Sequence, residues 1–169
     1  MKQTNNSLNQ ISLLLGSNLG DKVGNIFRAE KEMCRFLNII KYSSFYESNS
    51  WGYQSINSFV NRAILVEYID SPIQLLNKIQ AVEKKVGRVK NQKKGYQDRL
   101  IDIDIINFND EQITLPNLII PHPRIAERKF TILPLLDLYE EAKIPGVNLS
   151  SRQLLENCFD KNEVKKIDV

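Results

Sequence analysis

The sequence predicts an α+β fold in which an antiparallel sheet carries helices packed on it. Three observations predict it. Segments with strand and helix periodicity follow one another in the order β-α-β-β-α-β. The second and third strands are joined by a polar loop with no helix between them, which disfavours a parallel doubly wound sheet. The second helix is bracketed by its own start and stop residues. This order is the ferredoxin-like pattern, here extended by a hairpin and two C-terminal helices.

Met1 to Gln10 is polar and rich in Asn and Gln, and reads as a flexible lead-in to one domain over residues 11–169. Ile11 to Leu15 reads as a buried strand closed by Gly16. Val23, Ile26, Phe27, Met33, Cys34 and Leu37 recur at helical spacing, so a helix is expected over Asn25 to Asn38, capped by Asp21. On that face Cys34 reads as a buried structural thiol. Ile39 to Glu47, enriched in Tyr and Phe, reads as one strand. A polar loop from Ser48 to Ser58 carries Trp51 and Gly52, and Phe59 to Tyr68 is the next strand. Ser71 and Pro72 open a helix whose apolar face is Ile73, Leu75, Leu76, Ile79, Val82 and Val86, and Gly87 closes it. A basic loop, Arg88 to Arg99, leads into a strand from Leu100 to Phe108. Asn109-Asp110 marks a turn, with Gln112 to Leu115 as a short return strand. Pro116, Pro121 and Pro123 enforce an irregular stretch. Phe130 to Tyr139 and Ser150 to Cys158 read as helices.

Composition narrows the class. The 169 residues are 42% hydrophobic and 25% charged, values of an ordinary globular protein with one core. No apolar run approaches the roughly 20 residues of a membrane span. The N-terminus lacks the apolar core of a signal peptide. Two cysteines and one histidine do not make a usual zinc site, and a reducing, cytoplasmic home fits. A net charge of +3 is too small to imply a nucleic acid by itself.

Chemistry is concentrated in four places. In Arg99-Leu100-Ile101-Asp102-Ile103-Asp104 the two acids are two residues apart in a strand and share a face, while the isoleucines take the other. Carboxylates in so apolar a strand are costly to bury without a counter-charge, which a divalent cation such as Mg²⁺ supplies. The bland alternative is a strand with its acids on a wet face. The basic loop gathers Lys84, Lys85, Arg88, Lys90, Lys93, Lys94 and Arg99 around a single acid, Asp98, and also carries Tyr96. It reads either as a polyphosphate clamp or as a solvated charged loop. The sole histidine, His122, lies between Pro121 and Pro123, followed by Arg124, Arg128 and Phe130. Asn61, in an apolar strand beside Phe59, needs a partner for its amide, from a heterocycle edge or from a neighbouring loop. Gly16-Ser17-Asn18-Leu19-Gly20-Asp21-Lys22 fails the Walker spacing and is no phosphate loop of that kind.

These pieces, in this order, resemble the 6-hydroxymethyl-7,8-dihydropterin pyrophosphokinase family. The resemblance rests on Leu15-Gly16-Ser17-Asn18-Leu19-Gly20, Ser43 to Glu47, Phe59-Val60-Asn61, Glu83 with Gly87-Arg88, Arg99 to Asp104, and Ile120-Pro121-His122-Pro123. It implies a diphosphate transfer from ATP to the pterin in folate synthesis, giving AMP and the pterin diphosphate. It implies two Mg²⁺ ions on Asp102 and Asp104, with Arg88 and Arg99 joining these in catalysis. It implies ATP contacts from Glu83, Arg88, Lys90, Tyr96, Arg99, His122 and Arg128. Pterin contacts are implied for Ser48, Trp51, Phe59, Asn61 and Phe130. The expected partners are these small molecules, with no nucleic acid, no membrane and a monomeric chain. The chain departs from the family pattern at Asn49-Ser50, usually Pro-Pro, and at Gln97-Asp98, usually Gly-Pro, and its basic loop is about one residue longer. Rival readings are a ferredoxin-like RNA-binding module, which lacks the aromatic signature here, and a metal-dependent nucleotide hydrolase.

Overall fold

The computed structural model describes residues 8–88 and 97–169. The elements run β1 (Asn9–Ser17), α1 (Lys22–Met33), β2 (Asn38–Tyr42), β3 (Phe45–Ser48), β4 (Phe59–Tyr68), α2 (Pro72–Val86), β5 (Asp102–Phe108), β6 (Ile113–Leu115), β7 (Leu118–Ile120), α3 (Lys129–Tyr139), α4 (Ser151–Glu156) and β8 (Val164–Ile167). The main sheet has the order β5-β1-β4-β3-β8, with β2 also on β4, and its pairings are antiparallel. With β2 and β3 counted as one interrupted strand, this is the expected β-α-β-β-α-β arrangement. No helix among the described residues is long and apolar enough to cross a membrane.

Alternation along β1 explains why both faces of the sheet are covered. Ile11, Leu13 and Leu15 join Ile26, Met33, Leu75 and Ile79 in the core beneath α1 and α2. Leu14 joins Ala63, Ile106, Ile132, Leu135 and Leu154 in a second core beneath α3 and α4. Ile105 and Ile106 alternate between the two cores, and a register shift between β1 and β5 beside them returns Phe108 rather than Asn107 to the first core. Upstream of it, Ile101 and Ile103 pack toward α2, so Asp102 and Asp104 face the α3 side.

Several boundaries differ from expectation for local reasons. β1 begins at Asn9, where pairing with Tyr68 begins, so the strand starts inside the expected lead-in. The first helix starts earlier and ends at Met33, although Asp21 caps it as expected by accepting from Gly24 N. Cys34 is therefore a C-cap position and is exposed rather than buried. The single strand expected over Ile39 to Glu47 breaks at Ser43-Ser44. There the Ser43 hydroxyl takes the Ala63 N–H at 2.9 Å, and Ser44 N–H turns to Asp137 at 2.8 Å. The segment after the Asn109 turn does not return along β5, but pairs with β7 as a separate hairpin. β8 was not foreseen; it completes the sheet edge against β3.

The second helix matches its signals. Ser71 and Gln74 form a capping box, and Gly87 ends the helix at φ +113°. That left-handed turn sends the next residue, Arg88, back toward the body of the protein, its backbone N–H bonding Glu83 O at 2.9 Å. A Cβ at Gly87 would come 2.9 Å from the end of the Leu100 side chain, which can yield, so the backbone conformation dominates the cost of replacement. Gly87→Ala is expected to lower unfolding free energy in urea by about 1–2 kcal/mol.

Candidate active site

Strand register builds the floor of a cleft. Gly16 on β1 pairs with Asp102 on one side and Asn61 on the other, so Asp102, Gly16 and Asn61 form a row across three strands. One step along, Leu14 pairs with Asp104 and Ala63. Gly16 leaves the space between acid and amide open. A Cβ there would stand 2.9 Å from Asn61 Oδ1. Above this floor lies an open cleft lined by Leu14, Gly16, Ser48, Asn49, Trp51, Tyr53, Phe59, Asn61, Arg99, Asp102, Asp104, Arg128 and Phe130.

The acidic end is strongly charged. Arg88 Nη1 donates to Asp102 Oδ1 at 2.7 Å, and Arg99 Nη1 donates to Asp102 Oδ2 at 2.7 Å. Glu83 pairs with Arg88 and accepts the Ile103 N–H at 2.9 Å, which ties α2 to β5. Burial, then the Asp102 charge, pushes the Glu83 carboxyl upward against the pull of Arg88. The same two causes raise Asp104 from 3.8 to about 7, opposed by Arg128 and Arg99. Asp104 is thus under-compensated as it stands. Among the described residues no three or more His, Cys, Asp or Glu side chains converge as a metal cage would. Two carboxylates with an open approach suit Mg²⁺, which keeps waters and takes substrate phosphate oxygens for the rest of its shell.

The other end carries the aromatic side chains Trp51, Phe59 and Phe130. Asn61 Nδ2 donates to Ser48 Oγ at 3.2 Å, which holds the amide plane. Trp51 lies against Arg128, whose guanidinium carbon is 4.5 Å from the ring centroid, and against Arg124 at 5.3 Å. Arg128 also reaches the Phe130 ring at 5.6 Å. His122 is not among the cleft-lining residues. Burial and Arg128 lower its pKa to about 4, so it is neutral at pH 7. Its Nδ1 accepts the Arg124 N–H at 3.2 Å, which leaves Nε2 as the protonated, donating nitrogen.

Ser48, Trp51, Phe59, Asn61, Arg99, Asp102, Asp104, Arg128 and Phe130 thus converge on one cleft, with Glu83 and Arg88 bound behind it. Lys90 and Tyr96 lie outside the described residues. Sequence reasoning did not select Leu14, Gly16, Asn49 or Tyr53. Gly16 could have been found as the strand-closing glycine opposite Asn61, whereas Tyr53 carried no local signal.

A family model for 7,8-dihydro-6-hydroxymethylpterin-pyrophosphokinase matches residues 12–140. The 2-amino-4-hydroxy-6-hydroxymethyldihydropteridine pyrophosphokinase of Aquifex aeolicus is 41% identical over 76% of this chain and 79% of its own. The Bacillus subtilis protein of the same name is 33% identical over 86% and 88%. The folic acid synthesis protein fol1 of Pneumocystis carinii is 36% identical over 93% of this chain, which spans only 21% of it. Among solved structures, Plasmodium falciparum HPPK-DHPS superposes with TM-score 0.66 at 19% identity, over 90% of this chain and 45% of that one, a likeness of fold. An antiparallel α+β sheet of this kind defines the class. The chain belongs to the 7,8-dihydro-6-hydroxymethylpterin-pyrophosphokinase family.

Asp104 yields a test that needs no substrate. Its folded pKa lies above its ordinary 3.8, so its favourable share of stability is complete below that value and is lost as pH rises through about 7. In EDTA, Asp104→Asn should melt several degrees above wild type at about pH 8, and the gap should close toward about pH 5, measured by thermal denaturation.

Proposed function

We propose that this chain transfers the terminal diphosphate of ATP to the hydroxymethyl group of 6-hydroxymethyl-7,8-dihydropterin, releasing AMP. The observation that carries the reading is the Asp102-Gly16-Asn61 row, which sets a cluster of carboxylates and arginines beside an amide flanked by the aromatic side chains of Phe59, Trp51 and Phe130. Asn61, held by Ser48, offers a donor and an acceptor to the pterin edge. Phe59, Trp51 and Phe130 provide the apolar walls. Arg88, Arg99 and Arg128 face the phosphates, and His122 adds a neutral Nε2–H donor. Lys90 and Tyr96 join on the ATP side.

Asp102 and Asp104 would hold the Mg²⁺, two ions with ATP bound, which would supply charge neutralisation for the polyphosphate and acidify the attacking alcohol. The hydroxymethyl oxygen bonds to the β-phosphorus as the bond from that phosphorus to the α-bridging oxygen breaks. The leaving electrons stay on AMP, and the alcohol proton passes to solvent. Arg88 and Arg99 exchange Asp102 for phosphate oxygens, so each charge keeps a partner through the reaction. Positioning and electrostatics, rather than a dedicated base, do most of the catalysis. The chain works as a cytoplasmic monomer on these small molecules, without nucleic acid.

The test is AMP release from MgATP. AMP should form only when the pterin and Mg²⁺ are both present. Asp104→Ala should lower turnover by about a hundredfold or more with circular dichroism unchanged. Pterin-independent AMP would indicate a nucleotide hydrolase, and near-normal turnover of the variant would remove the carboxylates from the mechanism.

A further inference from the structure

Asp98 sits outside the cleft, yet three side chains from two other segments meet on its carboxylate. Asn18 Nδ2, after β1, donates to Oδ1 at 2.7 Å. The Tyr53 hydroxyl donates to the same oxygen at 2.9 Å, and Asn57 Nδ2 donates to Oδ2 at 2.7 Å. Tyr53 and Asn57 belong to the irregular segment between β3 and β4, the one that carries Asn49 and Trp51 over the cleft.

We propose that Asp98 is a positioning residue for the pterin, holding the segment from Asn49 to Asn57 in its binding shape from outside the cleft. This rests on the reading that the cleft takes a pterin. The segment has internal bonds: Ser50 Oγ donates to Tyr53 O at 2.6 Å and accepts from Ser55 N at 3.1 Å. Those bonds shape the segment without attaching it to the sheet. At its end, Lys22 reaches Ser58 at 2.7 Å, and near its start Trp51 packs on Arg128 and Arg124. Asp98 supplies a charged, hydrogen-bonded attachment in the middle. Through the hydroxyl it orients the Tyr53 ring, which lines the cleft and packs edge-to-face on Phe59 at 6.5 Å between centroids.

Asn18 ties this latch to the neighbouring backbone. Asn18 Oδ1 accepts the Arg99 N–H at 2.7 Å, and Asn18 N–H donates to Arg99 O at 3.1 Å. The second of these is a backbone-to-backbone bond that does not use Asp98, so it keeps the strand entrance that presents Arg99 beside the end of β1. Losing the carboxylate frees Tyr53 and Asn57 and so loosens the segment that carries Trp51, while the backbone bond from Asn18 still holds Arg99. Burial pushes the Asp98 carboxyl up, but donors from Asn57, Ser55, Asn18 and Tyr53 outweigh it and bring it down to about 2. Hydrogen bonds to such a charge are stronger than neutral ones.

Trp51 is the sole tryptophan, so its fluorescence reads the segment directly. The experiment compares wild type, Asp98→Ala, Asp98→Asn and Tyr53→Phe at matched fold, checked by melting. In unliganded Asp98→Ala, Trp51 anisotropy should fall and its emission shift to the red. Pterin affinity, titrated by Trp51 fluorescence with Mg²⁺ and a non-cleavable ATP analogue present, should weaken about tenfold or more, the worth of a charge-assisted bond. KM for the pterin should rise with it, while KM for MgATP stays within about twofold, and Tyr53→Phe should move the same way. Asp98→Asn keeps an acceptor for Tyr53 and should recover part of the affinity. Unchanged pterin affinity, or equal losses for pterin and ATP, overturns the proposal. If Asp98→Ala fails to fold, Tyr53→Phe decides by the same pterin-against-ATP comparison. A wild type that binds no pterin refutes the proposed function, and the unliganded Trp51 anisotropy then still tells whether Asp98 holds the segment.

Discussion

Two carboxylates on one face of an otherwise apolar strand demand compensation, and much of the site is arranged around that demand. Asp102 receives a guanidinium on each oxygen, one from the residue just past α2 and one from the approach to β5. Glu83 steadies the first of these and pins the strand through Ile103 N–H. Asp104 is compensated by the charges of Arg128 and Arg99, which do not outweigh its burial and the Asp102 charge. The cluster is therefore poised to accept further positive charge at Asp104 and to release arginines toward an anion. A cation-bridged polyphosphate does both at once.

Gly16 divides the labour of the cleft. Any side chain at that position would fill the gap between the charged row-mate and the amide row-mate. Without one, a reacting group can lie between Asp102 and Asn61 on the bare backbone of β1. The fold meets this need economically, because antiparallel register alone brings the three residues abreast. The loops then add what the sheet lacks, with Trp51 and Phe130 as walls and arginines between them.

How much of this was legible in the sequence depended on range. Period-2 and period-3.6 patterns, with cap residues, located β4 and α2 to the residue or nearly so, because propensity, capping and burial agree there. The shared face of Asp102 and Asp104 followed from strand geometry alone. Cys34 misled because the helical spacing of apolar residues continues through Leu37, past Met33 where the helix ends. The Ser43-Ser44 break was hidden because a serine hydroxyl replaces a backbone partner, which leaves no mark on apolar alternation. β8 shows only Val164 and Ile167 as apolar positions, too weak a pattern to separate from a tail. Asp98 had looked like a lone acid in a basic loop, but its donors come from Asn18, Tyr53 and Asn57, distant in sequence. Side chains that meet only through tertiary structure leave no periodic trace.

The central claim is that Asp102 and Asp104 form a cation site completed by nucleotide phosphates. Calorimetric binding of an ATP analogue with a methylene between its α- and β-phosphorus atoms tests it most directly, with Mg²⁺ or with EDTA. Wild type should bind about tenfold or more tightly with Mg²⁺, and Asp102→Asn and Asp104→Asn should each lose most of that dependence. Equal wild-type affinity in Mg²⁺ and EDTA, or full Mg²⁺ dependence in both variants, would contradict the account.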